Sequence, residues 1–188
     1  QEETYFLTEG GGDSLHIDIR FEYPTQLPSP EALARIQRDL KEGLFGEAYR
    51  DMEPQQAMDA YIAMLKTEYK LNNLPIKEEN GGLQEENLPI LCEEQVLEGR
   101  VSSAERGILS YSIERYVYAG GAHGSNYRVF RNYRMESGET YTEQDLFAEG
   151  AEPTLTKMIL DGIISQNEEA NSVQDLRDMM YEVDMIHP

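Results

Sequence analysis

Alternating apolar and polar positions mark a strand near the start of the chain. Between Leu15 and Tyr23 every second residue is apolar or aromatic, and the residues between them are polar or charged. A period of two places the two sets on opposite faces of an extended chain. The segment therefore predicts a strand with one buried face and one solvent-exposed face, and His16 falls on the exposed face.

Two helices are predicted after this strand. Ser29 followed by Pro30 is typical of a helix N-cap with proline in the first turn, and apolar residues then recur at three- and four-residue spacing. A second helix begins at Pro54. Its predicted buried residues are Met58, Tyr61, Ile62, Leu65 and Tyr69. From Asn72 to Asn87 the helical period is lost among Asn, Gly, Pro and Glu, which predicts a loop.

The stretch from Ile108 to Phe147 predicts a hairpin, a turn and a short capped helix. In the first strand Leu109 and Ile113 belong to an apolar row that only Arg115 interrupts. The second strand has one predicted apolar face, formed by Tyr127, Val129, Tyr133 and Met135. Gly-rich sequence joins the strands, with His123 at the tip of the loop, and this composition is typical of a tight hairpin connection.

Further elements flank the hairpin. A weakly patterned strand is predicted from Leu91 to Ser103, and a helix from Pro153 whose apolar face is Leu155, Met158, Ile159, Gly162 and Ile163. Ser172 with Asp175 predicts the cap of a last helix. This order predicts an α+β fold with an antiparallel sheet and helices packed on one face. We divide it into two intimate α/β halves, residues 1–87 and 88–188.

Charge is the strongest feature of the composition. The chain has 36 Asp and Glu against 16 Lys and Arg, a formal net charge of -20. Such a field repels nucleic acids and anionic lipid surfaces. It keeps a protein soluble, and it would also favour a basic protein partner or divalent cations. No apolar run approaches the roughly 20 residues of a membrane-spanning helix, and the lone Cys92 excludes an intrachain disulfide.

Catalytic and metal-binding templates fit the sequence poorly. Ser125 lacks the G-x-S-x-G context of a hydrolase nucleophile, and the three histidines have no zinc-ligand spacing. There is no D-x-D-x-D-G calcium loop. The glycine-rich loop matches neither known phosphate-binding fingerprint. We therefore predict no cofactor, no metal and no catalytic residue, although a calcium site assembled from distant carboxylates stays open.

Two interpretations of the hairpin loop remain. In the structural one, the glycines permit a tight connection and His123 forms a hydrogen bond that holds it. In the functional one, Tyr116, Tyr118 and Phe130 lie on the face opposite the apolar row and form a recognition surface, because aromatic residues with polar tips are common at interfaces.

The string from Tyr116 to Gly124, YVYAGGAHG, followed by a strand, a Ser-Gly turn and Asp-Leu-Phe ending at Phe147, resembles the domain of unknown function 3298. This domain occurs in RsiV-type anti-sigma factors and beside the catalytic domain of PdaC-type peptidoglycan deacetylases. The segment upstream resembles the companion usually paired with it. The resemblance implies an extracytoplasmic module, periplasmic or a surface lipoprotein whose leader has been removed.

The resemblance also implies partners and limits. In the RsiV branch the domain binds lysozyme, a basic protein, which would suit the acidic composition. Family members continue into further strands where this chain ends at Pro188. We therefore expect an open sheet edge, and with it a homodimer or strand exchange. The sigma-binding and deacetylase segments are not in this sequence, so neither activity is expected of it.

The leading hypothesis is a non-enzymatic binding module of the cell envelope for a basic protein or a cell-wall glycan. Its predicted ligand-binding residues are Tyr116, Tyr118, Gly120, Gly121, His123, Gly124, Asn126 and Phe130. The alternative is a hydrolase of envelope glycans or peptides in which His123 and nearby carboxylates act as acid and base.

Overall fold

Five strands form one sheet, in the order in which they occur in the sequence. They are β1 (Glu2–Phe6), β2 (Ser14–Phe21), β3 (Glu93–Glu105), β4 (Ile108–Tyr118) and β5 (Ser125–Arg134). The computed structural model describes residues 1–7, 11–79, 90–179, 181 and 183–186. No strand was predicted before Leu15. β1 could not be recognised from the sequence, because an edge strand of only five residues, two of them Glu, has little hydrophobic pattern.

The sheet is mixed, whereas the sequence predicted an antiparallel sheet. β1–β2, β3–β4 and β4–β5 are antiparallel pairs, but β2 and β3 are parallel. The reason lies in the connection, because both long helices occur between β2 and β3. A crossover of this length returns the chain to the starting end of the sheet, so the next strand runs in the same direction.

Helices α1 (Pro30–Phe45) and α2 (Pro54–Glu79) share the hydrophobic core with one face of the sheet. The Ser29 Oγ accepts a hydrogen bond from the Ala32 backbone N–H at 3.1 Å, so the predicted N-cap is confirmed. The core contains the five residues predicted for α2, together with Leu15, Ile17, Ile19, Leu109 and Ile113 from the apolar rows predicted for β2 and β4. Its fully buried members include Leu15, Ile17, Ile19, Ile36, Leu40, Leu44, Tyr69, Tyr111 and Tyr133.

α2 continues through the first part of the predicted loop. It ends at Glu79, so the loop prediction is wrong for residues 72–79, and residues 80–87 lie outside the described residues. Asn73 explains the extension, since its buried side-chain amide donates to the Tyr69 carbonyl at 3.1 Å and to the Glu93 carboxylate on β3 at 2.7 Å. The contact with β3 stabilises a helical turn that local sequence does not favour.

The described chain separates into two compact units, Gln1–Thr140 and Tyr141–Pro188. The second unit contains α3 (Glu143–Leu146), α4 (Glu152–Ser165) and α5 (Val173–Asp178). Its small core includes Ala170, Leu176 and Val183, with Leu160, Ile163 and Ile164 of α4 packed against it. The predicted apolar face of α4 is wrong in part, because Met158 and Ile159 are exposed.

These elements confirm the α+β fold class, with α1 and α2 packed on one face of the sheet. The predicted boundary between residues 87 and 88 lies within the first compact unit, since β2 and β3 on either side of it pair in one sheet. Within the described residues, no helix combines the length and the apolar character needed to cross a bilayer.

Candidate recognition surface

The register of the sheet decides which side chains lie opposite α1 and α2, on what we call the open face. Tyr116 pairs with Asn126, and Ser112 pairs with Phe130. Directly paired residues share a face, and Tyr118 follows Tyr116 by two positions, so all of these side chains lie on the open face. The predicted placement of Tyr116, Tyr118 and Phe130 opposite the apolar row is confirmed.

The aromatic residues of the open face are spaced apart. Phe130 lies four residues from Asn126 along β5, which corresponds to about 13 Å. Between them lies a row in which Arg128 pairs with Glu114 across the strands, with 2.7 Å between guanidinium nitrogen and carboxylate oxygen. The Phe130 ring is 64% exposed. The open face is thus an extended surface with an ion pair between two aromatic positions.

The loop from β4 to β5 is held by its glycines and by Tyr118. Gly120 has φ +78°, and a Cβ there would lie 2.7 Å from the Ile90 carbonyl oxygen. A Cβ on Gly124 would lie 2.5 Å from the Tyr116 ring. The Tyr118 hydroxyl donates a hydrogen bond to the Gly121 carbonyl at 3.0 Å. Both tyrosines are therefore half-buried and support the loop.

His123 is exposed at the tip of this loop. It makes no hydrogen bond or ion pair with any residue that the structure describes. The prediction that His123 forms the hydrogen bond that holds the loop is wrong, and Tyr118 supplies that bond. The acid and base pair required by the hydrolase alternative is likewise not formed by His123 and any described carboxylate.

A groove of about 400 Å³ crosses the open face beside Tyr116. Its lining includes Val96, Glu98, Glu114, Tyr116, Asn126 and Arg128. Neither the Tyr116 hydroxyl nor the Asn126 side-chain amide has a hydrogen-bond partner among the described residues. These two groups are therefore available to a ligand in the groove.

Acidic side chains on the open face are largely neutralised by neighbouring arginines. Besides Glu114–Arg128, Asp18 pairs with Arg20 at 2.6 Å and Glu98 with Arg100 at 2.5 Å. The Glu114–Arg128 pair could not be predicted from the sequence, because a pair between strands depends on register. The sequence could have identified only the pairs two residues apart, Asp18–Arg20 and Glu98–Arg100, from strand alternation.

Much of the net negative charge belongs to the second compact unit. The unit Tyr141–Pro188 contains eleven Asp and Glu against two Lys and Arg, a net charge of -9 in about a quarter of the chain. Among the described residues, no three His, Cys, Asp or Glu side chains converge into a group that could hold a metal ion.

The fold defines the class of protein: an α+β module built on a five-stranded mixed sheet with two helices on one face. The fold resembles that of DUF3298 family proteins, as the sequence motif predicted. The crystal structure of a DUF3298 family member from Bacteroides fragilis matches with a TM-score of 0.78 at 22% identity, covering 95% of this chain and 70% of that one.

A second structure, a DUF3298 family protein from Pseudomonas aeruginosa, matches with a TM-score of 0.48 at 17% identity, over 88% of this chain and 62% of that one. No protein-family model and no curated protein matches the sequence. At 22% identity, the match to the Bacteroides fragilis structure shows a shared fold.

Proposed function

We propose that this chain is a non-enzymatic binding module of the cell envelope that recognises its ligand with the open face of β4 and β5. The observation that supports this proposal is the exposed Phe130 ring on a sheet face that neither α1 nor α2 covers. Exposed aromatic residues on a sheet face that no helix covers are typical of interaction sites. Binding of a ligand to such a ring is favourable because it removes apolar surface from water.

The resemblance to the DUF3298 family implies two ligand classes, a cell-wall glycan and a basic protein such as lysozyme. Tyr116, Asn126 and Phe130 suit a glycan, since they combine ring surface with neutral hydrogen-bonding groups. The net charge of -20 suits a basic protein, because opposite charge accelerates encounter. Tyr118, Gly120, Gly121 and Gly124 would shape the site, and His123 at the loop tip would contact only a large ligand.

An extracytoplasmic location belongs to the same proposal. It is supported by the resemblance to the DUF3298 family, whose sequence features led us to expect a periplasmic or surface lipoprotein. Secretion of a reporter fusion carrying the natural N-terminal region of the gene would test it. A fusion that stays in the cytoplasm would contradict the proposed location.

Self-association through a sheet edge stays a prediction. Apart from a bridge between Tyr133 and Thr140, no described strand pairs with β5 on the side away from β4. An unpaired edge offers backbone donors and acceptors to a second copy. Light scattering over a range of concentrations would check it, and a strictly monomeric species would argue against strand exchange.

Binding measurements with the purified chain test the proposed function. Soluble peptidoglycan fragments and lysozyme would each be titrated by calorimetry into the native protein and into Phe130→Ala. We expect at least one ligand to bind the native chain and to bind the variant about tenfold more weakly. Leu71→Ala is the matched control, since Leu71 is 69% exposed but lies on α2.

Folding of each variant would be verified by circular dichroism before titration. Equal binding by native chain, Phe130→Ala and Leu71→Ala would contradict a site on the open face. No binding of either ligand by folded protein would reject both ligand classes.

A further inference from the structure

We infer that the ligand of the open face is an uncharged glycan strand, and that Tyr116, Asn126 and Phe130 bind it. The inference rests on the function proposed above and chooses between its two ligand classes. It follows from the charge, the free polar groups and the spacing of aromatic residues on the face.

The pairing of charged side chains around the groove disfavours a cationic ligand. Both carboxylates that line it already have arginine partners, Glu98 with Arg100 at 2.5 Å and Glu114 with Arg128 at 2.7 Å. A cationic protein would have to displace these guanidinium groups or bind beside them, and either loses most of the expected attraction. The net charge of the chain therefore gives little information about this site.

Free hydrogen-bonding groups at the groove are neutral. The Tyr116 hydroxyl and the Asn126 amide have no partner among the described residues, and together they can both donate and accept. Sugar hydroxyl and acetamido groups have the same dual character. The Arg128 guanidinium has five N–H donors, of which the Glu114 carboxylate uses only part. These groups complement a glycan without net charge.

The dimensions of the face suit an extended chain. The Phe130 ring lies about 13 Å along the strands from the Tyr116–Asn126 row, which exceeds the width of one sugar ring. A ring of Phe130 can pack against the C–H face of one sugar while the groove holds another. A ligand with several linked sugars can contact both positions, whereas a monosaccharide can contact only one.

Calorimetric titration with the N-acetylglucosamine hexasaccharide tests the inference. We expect it to bind the native chain, with an affinity that is unchanged up to about 1 M salt, where the Debye length is about 3 Å. Asn126→Ala and Phe130→Val should each weaken binding about tenfold. Phe130→Tyr keeps the ring and should restore it, while Val preserves strand propensity without a ring.

The de-N-acetylated hexasaccharide, which has the same length and carries positive charge, separates the ligand classes. Binding that is no tighter than that of the acetylated probe supports the inference. Lysozyme binding that is weakened by Phe130→Val, with no binding of the acetylated probe, would overturn the inference and leave the proposed function standing. Failure of all three ligands to bind folded protein would overturn both.

Discussion

Individual residues in and beside the β4–β5 loop have different roles. Tyr118 donates its hydroxyl hydrogen bond to the loop, whereas Asn126 and the Phe130 ring are turned to solvent. Gly120 is needed for the close approach to Ile90 as well as for its backbone conformation. The sequence identified this group of residues as one site, and the structure separates supporting residues from available ones.

Gly120→Ala should lower the free energy of unfolding by about 2 to 3 kcal/mol. A φ of +78° is unfavourable for an L-residue, and the added Cβ would lie 2.7 Å from the Ile90 carbonyl oxygen. Gly121→Ala is the control. Its φ is +95° but nothing lies within 4 Å of the new Cβ, so we expect a loss of about 1 kcal/mol. Urea denaturation would measure both, and equal losses would show that contact with Ile90 contributes nothing.

Between elements, Arg115 connects β4 with α1. The sequence showed it as the one charged residue in an apolar row, and the structure gives the reason. Its guanidinium donates to the Leu44 carbonyl near the C-terminal end of α1 at 2.8 Å and lies 5.8 Å from the centre of the Tyr61 ring on α2. A cation at this position satisfies a terminal helix carbonyl and contacts an aromatic face.

Arg115→Met should destabilise the fold by about 1 to 3 kcal/mol, because a helix-end carbonyl loses its partner and Tyr61 loses a cation contact. Arg115→Lys keeps the charge but not the planar fork, so we expect an intermediate loss. Thermal unfolding would measure these changes. Arg35→Met provides the comparison, since Arg35 and Glu139 form an exposed pair at 3.2 Å and such pairs contribute roughly 0 to 1 kcal/mol. Equal effects of Arg115→Met and Arg35→Met would show that the helix contact is unimportant.

At the scale of the whole molecule, buried tyrosines form hydrogen bonds between segments that are distant in the sequence. Tyr69 donates to the Leu91 carbonyl, Tyr111 to the Glu22 carbonyl and Tyr133 to the Asp39 carboxylate, at 2.8, 2.8 and 2.6 Å. Burial raises the pKa of all three phenols above the ordinary value, and Asp39 raises that of Tyr133 further. Desolvation, together with Glu53, raises the pKa of Tyr23 to about 12.

These shifts predict loss of stability at alkaline pH. A tyrosine in the unfolded chain releases its proton near pH 10, while the buried phenols in the folded chain keep theirs. Above pH 10 the unfolded state binds fewer protons than the folded state. The contribution of these phenols to the free energy of unfolding is therefore fully present below about pH 10 and falls as the pH rises above it. For Tyr133 the slope is at most about 1.4 kcal/mol per pH unit.

In Tyr133→Phe the free energy of unfolding should therefore fall less steeply above pH 10 than in the native chain. Circular dichroism together with tyrosinate absorbance would follow alkaline unfolding of both proteins. Tyr127→Phe is the control, because Tyr127 is 63% exposed and its removal should leave the profile unchanged. Identical profiles for the native chain and Tyr133→Phe would contradict a contribution from this buried phenol.

The sequence by itself determined the local features of this protein. Period-two and helical patterns identified β2, β4, β5, α1 and α2, and the Ser29 cap was correct to the residue. These features depend on interactions between residues close in the chain, which leave a readable period. The motif around the glycine-rich loop also carried the resemblance that the fold confirms.

Only the tertiary structure decided the rest. The parallel β2–β3 pair, the extension of α2 to Glu79 and the neutralisation of Glu114 by Arg128 all depend on contacts between distant segments. Local pattern does not encode register or the neighbour across a strand, because these are set by how the whole core packs. For the same reason the net charge of -20 did not indicate that Asp18, Glu98 and Glu114 on the open face each pair with an arginine.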